Sequence, residues 1–313
     1  MKILFIGNTR LGDAVLSTPI INHYDKKENH ITVICSPLSK EVYSSFSAVK
    51  EIISLKKKKR GGHWIEAYLN LKKIKWDLII DLRDTILSRL IRKSKILRFS
   101  NKNNYNHKVI DYCKLIDLKF NKSPFLPTNY YYKNSVQSFI KNKNITMPIL
   151  AVAPFTNWQR KDWPLNSYLQ LLKKLLEKKK YFESVVLLGS EDDKDKCQRF
   201  KKEMNDVKVY NLAASLKILE IFELLKLCKL FVGNDSGLSH LAAAANTKTL
   251  TLFGPSRNQI YRPWGKNSFY IRTPETYEEL VHVKGYSRFD SASLMKSLKV
   301  EDVYKKCLSI ISK

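Results

Sequence analysis

Val232-Gly233-Asn234-Asp235-Ser236-Gly237-Leu238-Ser239-His240-Leu241-Ala242-Ala243-Ala244-Ala245 is the stretch on which the fold of this chain turns. Just before it, Cys228 to Val232 is a short apolar run closed by turn residues, the pattern of a buried strand. Beyond Asp235 the period changes. Leu238, Leu241, Ala242 and Ala245 fall at i, i+3, i+4 and i+7 and make one apolar helical face. Asn234, Asp235 and Ser236 are residue types that cap helix starts, and Gly237 leaves the first turn's backbone uncovered. A helix start of this kind offers free N–H groups and the positive end of the dipole, which suits a phosphate. Asn246 ends the helix, and Thr249–Phe253 reads as the next strand. A βαβ unit with ordinary caps explains the same residues, so spacing leaves both readings open.

Outward from this unit the alternation repeats. Ile149–Ala153 is a strand closed by Pro154. Ser167–Lys179, Ser184–Leu188, Asp192–Met204, Val207–Tyr210 and Leu216–Cys228 then alternate helix and strand. Leu169, Leu172, Leu175 and Leu176 give the first of these helices an inward face. At the amino end, Lys2–Ile6 reads as a buried strand, Gly7–Gly12 as a loop, and Ala14–His23 as a helix bent at Pro19. Ile31–Cys35, Ser39–Phe46, Ile52–Ile53, Ile65–Ile74 and Leu78–Leu82 continue the rhythm. Each half therefore predicts a parallel sheet covered by helices. The expected domains are 1–145 and 146–285, with a helical tail over 286–313. The centre, 84–145, rich in Lys, Asn and Tyr, yields only a helix from Asp111 to Leu118 and a Pro-punctuated loop from Ser123 to Thr128.

Composition excludes several classes. With 313 residues, 44% apolar and 27% charged, the chain can hold two cores and is neither disordered nor fibrous. No apolar run approaches the roughly 20 residues that span a bilayer. Ile3–Ile6 is too short for a signal-peptide core, which predicts a cytoplasmic protein. The five cysteines are scattered without a CxxC pair or a Cys/His cluster, so neither a disulfide framework nor a zinc site is indicated. Gly7-x-x-x-x-Gly12 imitates a P-loop, yet Asp13 and Ala14 stand where Lys and Ser/Thr are required. A carboxylate there would repel a triphosphate, and no hydroxyl remains for magnesium. The formal charge of +27 favours anionic partners: a phosphorylated glycolipid, the inner membrane leaflet or nucleic acid. It fits a lysine-rich surface without a partner equally well, and the basic run Lys56–Arg60 has the same two readings. A nucleic-acid binder would interleave aromatics with Lys and Arg on a strand platform. Tyr130-Tyr131-Tyr132 is the one hint of that, and a packing role explains it as well.

Asn234 to Ala244, followed by Phe253-Gly254-Pro255-Ser256, resembles the signature of the ADP-heptose:lipopolysaccharide heptosyltransferase family, glycosyltransferase family 9. Arg10-Leu11-Gly12-Asp13, Lys161-Asp162-Trp163-Pro164 and the tail Leu294–Val303 are similar to the same family. The resemblance implies an α/β fold of two Rossmann-like parallel-sheet domains facing across a cleft, the GT-B architecture. It implies an inverting glycosyltransferase that passes heptose from ADP-heptose to a lipopolysaccharide core acceptor. Asp13 is then the catalytic base, with Arg10 and Gly12 beside the donor. As a residue type at a helix start, Asp13 also reads as a plain N-cap. Lys161 is implied to face the donor diphosphate with Thr156 and Asn157 near the same group. Asp235, Ser236, Gly237 and His240 are implied to hold the donor from the opening stretch. Lys161 as one more surface lysine and His240 as a satisfied core histidine are the plain alternatives.

Trp163 reads as a packing anchor. Displacement at an anomeric carbon needs a base for the acceptor hydroxyl and charge stabilisation for the leaving diphosphate. Asp193-Lys194-Asp195 falls in an expected helix as a solvated face, so no metal is expected, and no cofactor beyond the nucleotide-sugar substrate. The expected partners are that donor, an anionic glycolipid acceptor and the cytoplasmic face of the inner membrane, without nucleic acid. The alternatives are a related transferase using another nucleotide sugar or a protein acceptor and, from a different class, a basic nucleic-acid-binding protein.

Overall fold

The computed structural model describes residues 1–56, 58, 61–100, 106–119, 122–177, 181–206 and 208–312. Lys57, Lys59 and Arg60 of the basic run lie outside them. So do Lys178 and Lys179 at the end of an expected helix, and Val207 at the start of an expected strand. The chain divides into two compact units, Met1–Pro127 and Thr128–Lys313.

In the first unit, β1 (Lys2–Ile6), β2 (His30–Cys35), β3 (Val49–Ser54), β4 (Trp76–Asp81) and β5 (Lys93–Arg98) form one parallel sheet ordered β3-β2-β1-β4-β5. Ile3 to Ile6 are at most 1% exposed, and β2 and β4 are buried along most of their length. Strands so buried read as unbroken apolar runs instead of alternating ones. β5 escapes the sequence reading because Lys93-Ser94-Lys95 makes a polar, partly exposed edge.

The first helix begins at Leu11, earlier than expected, and runs through Pro19 to Tyr24. Proline cannot donate to the carbonyl four residues back. The Thr18 hydroxyl donates to that carbonyl, Val15 O, at 2.8 Å and replaces the missing amide.

In the second unit, β6 (Ile149–Ala153), β7 (Ser184–Leu187), β8 (Val209–Asn211), β9 (Cys228–Asn234), β10 (Thr249–Phe253) and β11 (Ser268–Arg272) form a parallel sheet ordered β11-β10-β9-β6-β7-β8. β11 is a half-exposed edge strand that the sequence reading passes over. The division of the chain falls before the expected 145/146 boundary for a packing reason. The Tyr130–Asn142 helix lies on the Ile218–Leu227 helix of the second unit. Ser135 Oγ donates to Glu220 Oε1 at 2.6 Å across that seam. Tyr130, Tyr131 and Tyr132 open this helix, with Tyr130 and Tyr131 exposed, so they form neither a strand platform nor a packed cluster. The tail is no separate body. Its helix, Val300–Ile311, packs on Leu165–Glu177 and places Val303, Cys307 and Ile310 in the second core. All five cysteines are free and buried.

Both sheets are doubly wound, Rossmann-like sheets. Strand order reverses between β1 and β4 in one and between β6 and β9 in the other, and ligands of such sheets bind outside the carboxyl ends at that switch point. Among the described residues no helix is long and apolar enough to cross a membrane.

Candidate active site

β6 and β9 lie side by side, with Ala153 opposite Gly233, so the loops that leave them share one place. Asn234, fully buried as the last residue of β9, ties them together. Its Oδ1 accepts from Trp163 N at 3.1 Å and from Tyr168 Oη at 3.0 Å, while its Nδ2 donates to Pro154 O at 2.7 Å. Asn234 is therefore a staple and not the cap its residue type suggested. Trp163, 1% exposed, donates from its indole to Leu298 O at 2.9 Å and packs edge-on against Tyr168, as a packing anchor does.

On this frame the sequence-predicted residues of the second unit assemble. Lys161 Nζ lies 2.5 Å from Asp235 Oδ2, and Ser256 Oγ donates to the same oxygen at 2.8 Å. Burial by itself would raise the Asp235 carboxyl. The charges of Lys161 and His240, with the hydrogen bonds from Lys161 and Ser256, outweigh it and hold the carboxyl below its usual range. Lys161 is thus no loose surface lysine: its ammonium is held on a buried carboxylate, 5.7 Å from the Trp158 ring centroid.

Ser236 stands at the N-cap of the Gly237–Ala244 helix without making a cap bond. Its hydroxyl is buried with no partner among the described residues. An unsatisfied buried hydroxyl beside free N–H groups fits an incoming oxyanion. His240, also buried, comes one turn into this helix. Thr156 Oγ1 donates to Trp158 O at 2.8 Å and accepts from Trp158 N at 3.1 Å, whereas Asn157 is exposed. Ser256 was missed as a site residue, because a serine after Gly-Pro reads as turn filler.

Asp162 also lay outside the sequence prediction. Burial pushes its carboxyl up to about 7, against hydrogen bonding from Thr156 and the charge of Lys196, while Asp193 adds to the rise. Its Oδ1 has no partner among the described residues. Asp193 itself is buried and takes bonds from Ser190 N and Oγ at 3.1 and 2.7 Å, so it is a capping residue and not part of a solvated face. The 158–162 stretch is clasped by a distant segment. Arg160 bonds Ser287 O and pairs with Asp290 at 2.7 Å; Trp158 Nε1 donates to Arg288 O at 2.9 Å, and Ser293 Oγ to Asp162 O at 2.5 Å. Among the described residues no group of three or more His, Cys, Asp or Glu could hold a metal ion.

The first unit builds its switch-point loop differently. Arg10, exposed, is the N-cap of the Leu11–Tyr24 helix; Gly12 is buried, and Asp13 is the third helical residue, half-buried. Asp13 is therefore not the N-cap. The loop before it is held by neutral groups. Asn8 N donates to Tyr43 Oη at 3.2 Å, and Asn8 Nδ2 donates to Tyr112 Oη at 3.0 Å and to Asp13 O at 3.2 Å. Ser39 Oγ donates to Asn8 O at 2.9 Å, and Ser36 Oγ to Thr9 O at 2.6 Å. Gly7 is required by close approach: a Cβ there would sit 2.8 Å from the Tyr43 hydroxyl.

Comparisons with known proteins give the family of the chain. Residues 88–288 match the family described as Glycosyltransferase family 9 (heptosyltransferase), a span that holds the Lys161 and Asp235 loops and leaves out Asp13. Lipooligosaccharide heptosyltransferase 2 of Campylobacter jejuni is 27% identical over 278 residues, 84% of this chain and 85% of that one. Two solved structures superpose over nearly the full length. One is the family 9 glycosyl transferase of Veillonella parvula (TM-score 0.80, 18% identity, 99% and 97% of the two chains). The other is ADP-heptose lipopolysaccharide heptosyltransferase II of Escherichia coli (TM-score 0.77, 20% identity, 100% and 99%). At such identity these likenesses establish the fold, two Rossmann-like domains of the GT-B class. Taken with the family match over most of its length, the chain belongs to glycosyltransferase family 9, the heptosyltransferase family.

Proposed function

We propose that this glycosyltransferase moves heptose from ADP-heptose to a lipopolysaccharide core acceptor with inversion at the anomeric carbon. The observation that carries the reading is the buried Lys161–Asp235–Ser256 cluster beside the unsatisfied Ser236 hydroxyl at the β6/β9 switch point. The names of the relatives support the choice of sugar and nucleotide.

The acceptor hydroxyl attacks the anomeric carbon, and its proton passes to the Asp13 carboxylate. The bond from that carbon to the diphosphate oxygen breaks, and ADP departs with the electron pair. Lys161 and the amides at Ser236 and Gly237 meet the charge that grows on the diphosphate, which stabilises the transition state more than the ground state. His240 contributes from one turn deeper, and Thr156 and Asn157 border the same group. Arg10 and Gly12 line the donor side of the Asp13 loop. The donor is a substrate, and no further cofactor enters the scheme. The acceptor is an anionic glycolipid reached at the cytoplasmic face of the inner membrane, which the charge of +27 favours.

Calorimetric titration with ADP, UDP and GDP, paired with turnover on ADP-heptose, tests the reading. ADP is expected to bind tightest, and each heptose transferred should release one ADP. Preference for UDP or GDP, or nucleic-acid binding without nucleotide binding, overturns it.

A further inference from the structure

Lys108 opens the Lys108–Leu115 helix of the first unit and is only 5% exposed, an unusual burial for a lysine. Its ammonium lies 4.4 Å from the Phe99 ring centroid and 6.0 Å from that of Tyr112, one turn along the same helix face. This helix packs on the Leu11–Tyr24 helix that carries Asp13. The Tyr112 hydroxyl accepts from Asn8 Nδ2, and the same amide nitrogen donates to the Asp13 carbonyl. The face that holds Lys108 thus also fixes the backbone of residue 13.

We propose that Lys108 is a positioning residue for Asp13: a buried cation, seated on two rings beside the start of the Leu11–Tyr24 helix, that keeps the Asp13 carboxylate ionised and oriented for proton abstraction. The proposal rests on the reading of Asp13 as the base. Burial lowers the lysine's own pKa, and the charges of Asp13 and then Asp111 oppose that fall. The Tyr43 phenol also feels the charge of Asp13, and Arg10 stands at the start of the same helix. Arg10 is exposed at the helix start, and the Tyr43 phenol, which burial pushes above its usual range, stays neutral. Lys108 is thus the buried cation of this set.

The test measures kcat/KM against pH for the full chain and its Lys108→Met, Lys108→Gln and Lys108→Arg variants, with the Asp13 carboxyl followed by carbon-13 NMR titration. Removing an opposite charge beside a carboxylate raises its pKa by about one unit or more. The acid limb should therefore move up by about one pH unit in the Met and Gln variants. That is a roughly tenfold loss on the acid side with the alkaline plateau kept. Lys108→Arg should restore the wild-type limb. If Lys108→Met does not fold, the Gln variant carries the test. An unmoved limb and an unmoved Asp13 titration in folded Lys108→Gln, with only a lower melting temperature, overturn the role of Lys108. If Asp13→Asn is inactive in the same assay, the base reading survives that result. An active Asp13→Asn overturns both.

Discussion

The loops that follow β1 and β6 hold equivalent places in two sheets of like winding, yet they are made of opposite materials. The loop after β1 is framed by hydroxyls and an amide from Tyr43, Tyr112, Ser36, Ser39 and Asn8. The loop after β6 is framed by ions: Lys161 on Asp235, and Arg160 on Asp290. Neutral hydrogen-bond partners hold the backbone of the loop after β1, and Lys108 is the cation proposed beside its carboxylate. An ionic frame can hold a cation in readiness: on the proposed reading, an arriving diphosphate would compete with Asp235 for the same ammonium. On that reading, equivalent topology thus yields an acid-presenting loop and a cation-presenting loop, the two things that displacement of a diphosphate requires.

The strongest way to break this contrast is Asp13→Asn. Asn keeps the shape and cannot take a proton, so turnover should fall by about 10²–10⁴-fold. The N-cap is Arg10, so the melting temperature and ADP affinity should stay near wild type. Turnover retained in the purified variant would leave the β1 loop without its assigned chemistry.

Lys161→Ala should lower turnover by roughly 10²-fold, as losing one oxyanion donor does. It should also lower stability, because Asp235 then stays buried beside Ser256 and His240 alone. Breaking a buried pair costs about 3–5 kcal/mol, and the 21% exposure of the Lys161 side chain reduces that to about 1–3 kcal/mol. Adding Asp235→Asn should recover the unfolding free energy in urea and leave turnover low. Recovery of both would make the pair purely structural.

Asp162 sharpens the comparison through pH. Its folded pKa, about 7, stands above the ordinary 3.8, so the folded state binds the proton more tightly. That contribution is full below about pH 3.8 and is lost as pH rises to about 7. Asp162→Asn should therefore be more stable to unfolding than wild type at pH 8, by on the order of 2 kcal/mol after allowance for partial solvent access. The advantage should vanish near pH 4. Asp235, whose pKa is depressed, acts with the opposite sign and loses its contribution as pH falls below the ordinary carboxylate range. Parallel melting curves across pH would remove Asp162 from this account. The smallest effect is expected from Tyr43→Phe. It deletes the acceptor for Asn8 N and a partner of Ser17, costing about 1 kcal/mol in denaturant unfolding.

How much of this was legible in the residues follows from what each signal measures. Buried strands announce themselves as apolar runs, so β1, β2, β4, β6, β9 and β10 could be read directly. β5 and β11 are half-exposed edges, and their polar residues conceal them. The Leu11–Tyr24 helix start was hidden because Arg10 caps it without a side-chain bond, so the usual capping residue is missing. Of the site, Lys161 and Asp235 were visible through the resemblance to the family, whereas the Asn234 staple was misread as a cap. Nothing local to Asn234 reveals that it bonds Trp163, Tyr168 and Pro154, residues 66 to 80 positions away. Asp162 and Lys108 carry no signal in sequence either, since both draw their character from burial that only the fold supplies.

The packing of Val300–Ile311 into the second core has a consequence for the order of events at the ribosome. Domains fold as units, amino-terminal first, as they emerge during synthesis. The sheet of residues 1–127 draws every strand from its own span and can close while the remainder is still being translated. The core of the other unit is complete only when Leu298 has arrived to accept the Trp163 indole, and Val303, Cys307 and Ile310 to cover its helices. Lys161 follows Trp163 into place, so the chain acquires its Asp13 loop early in its synthesis and its cation only after the Val300–Ile311 helix has been made.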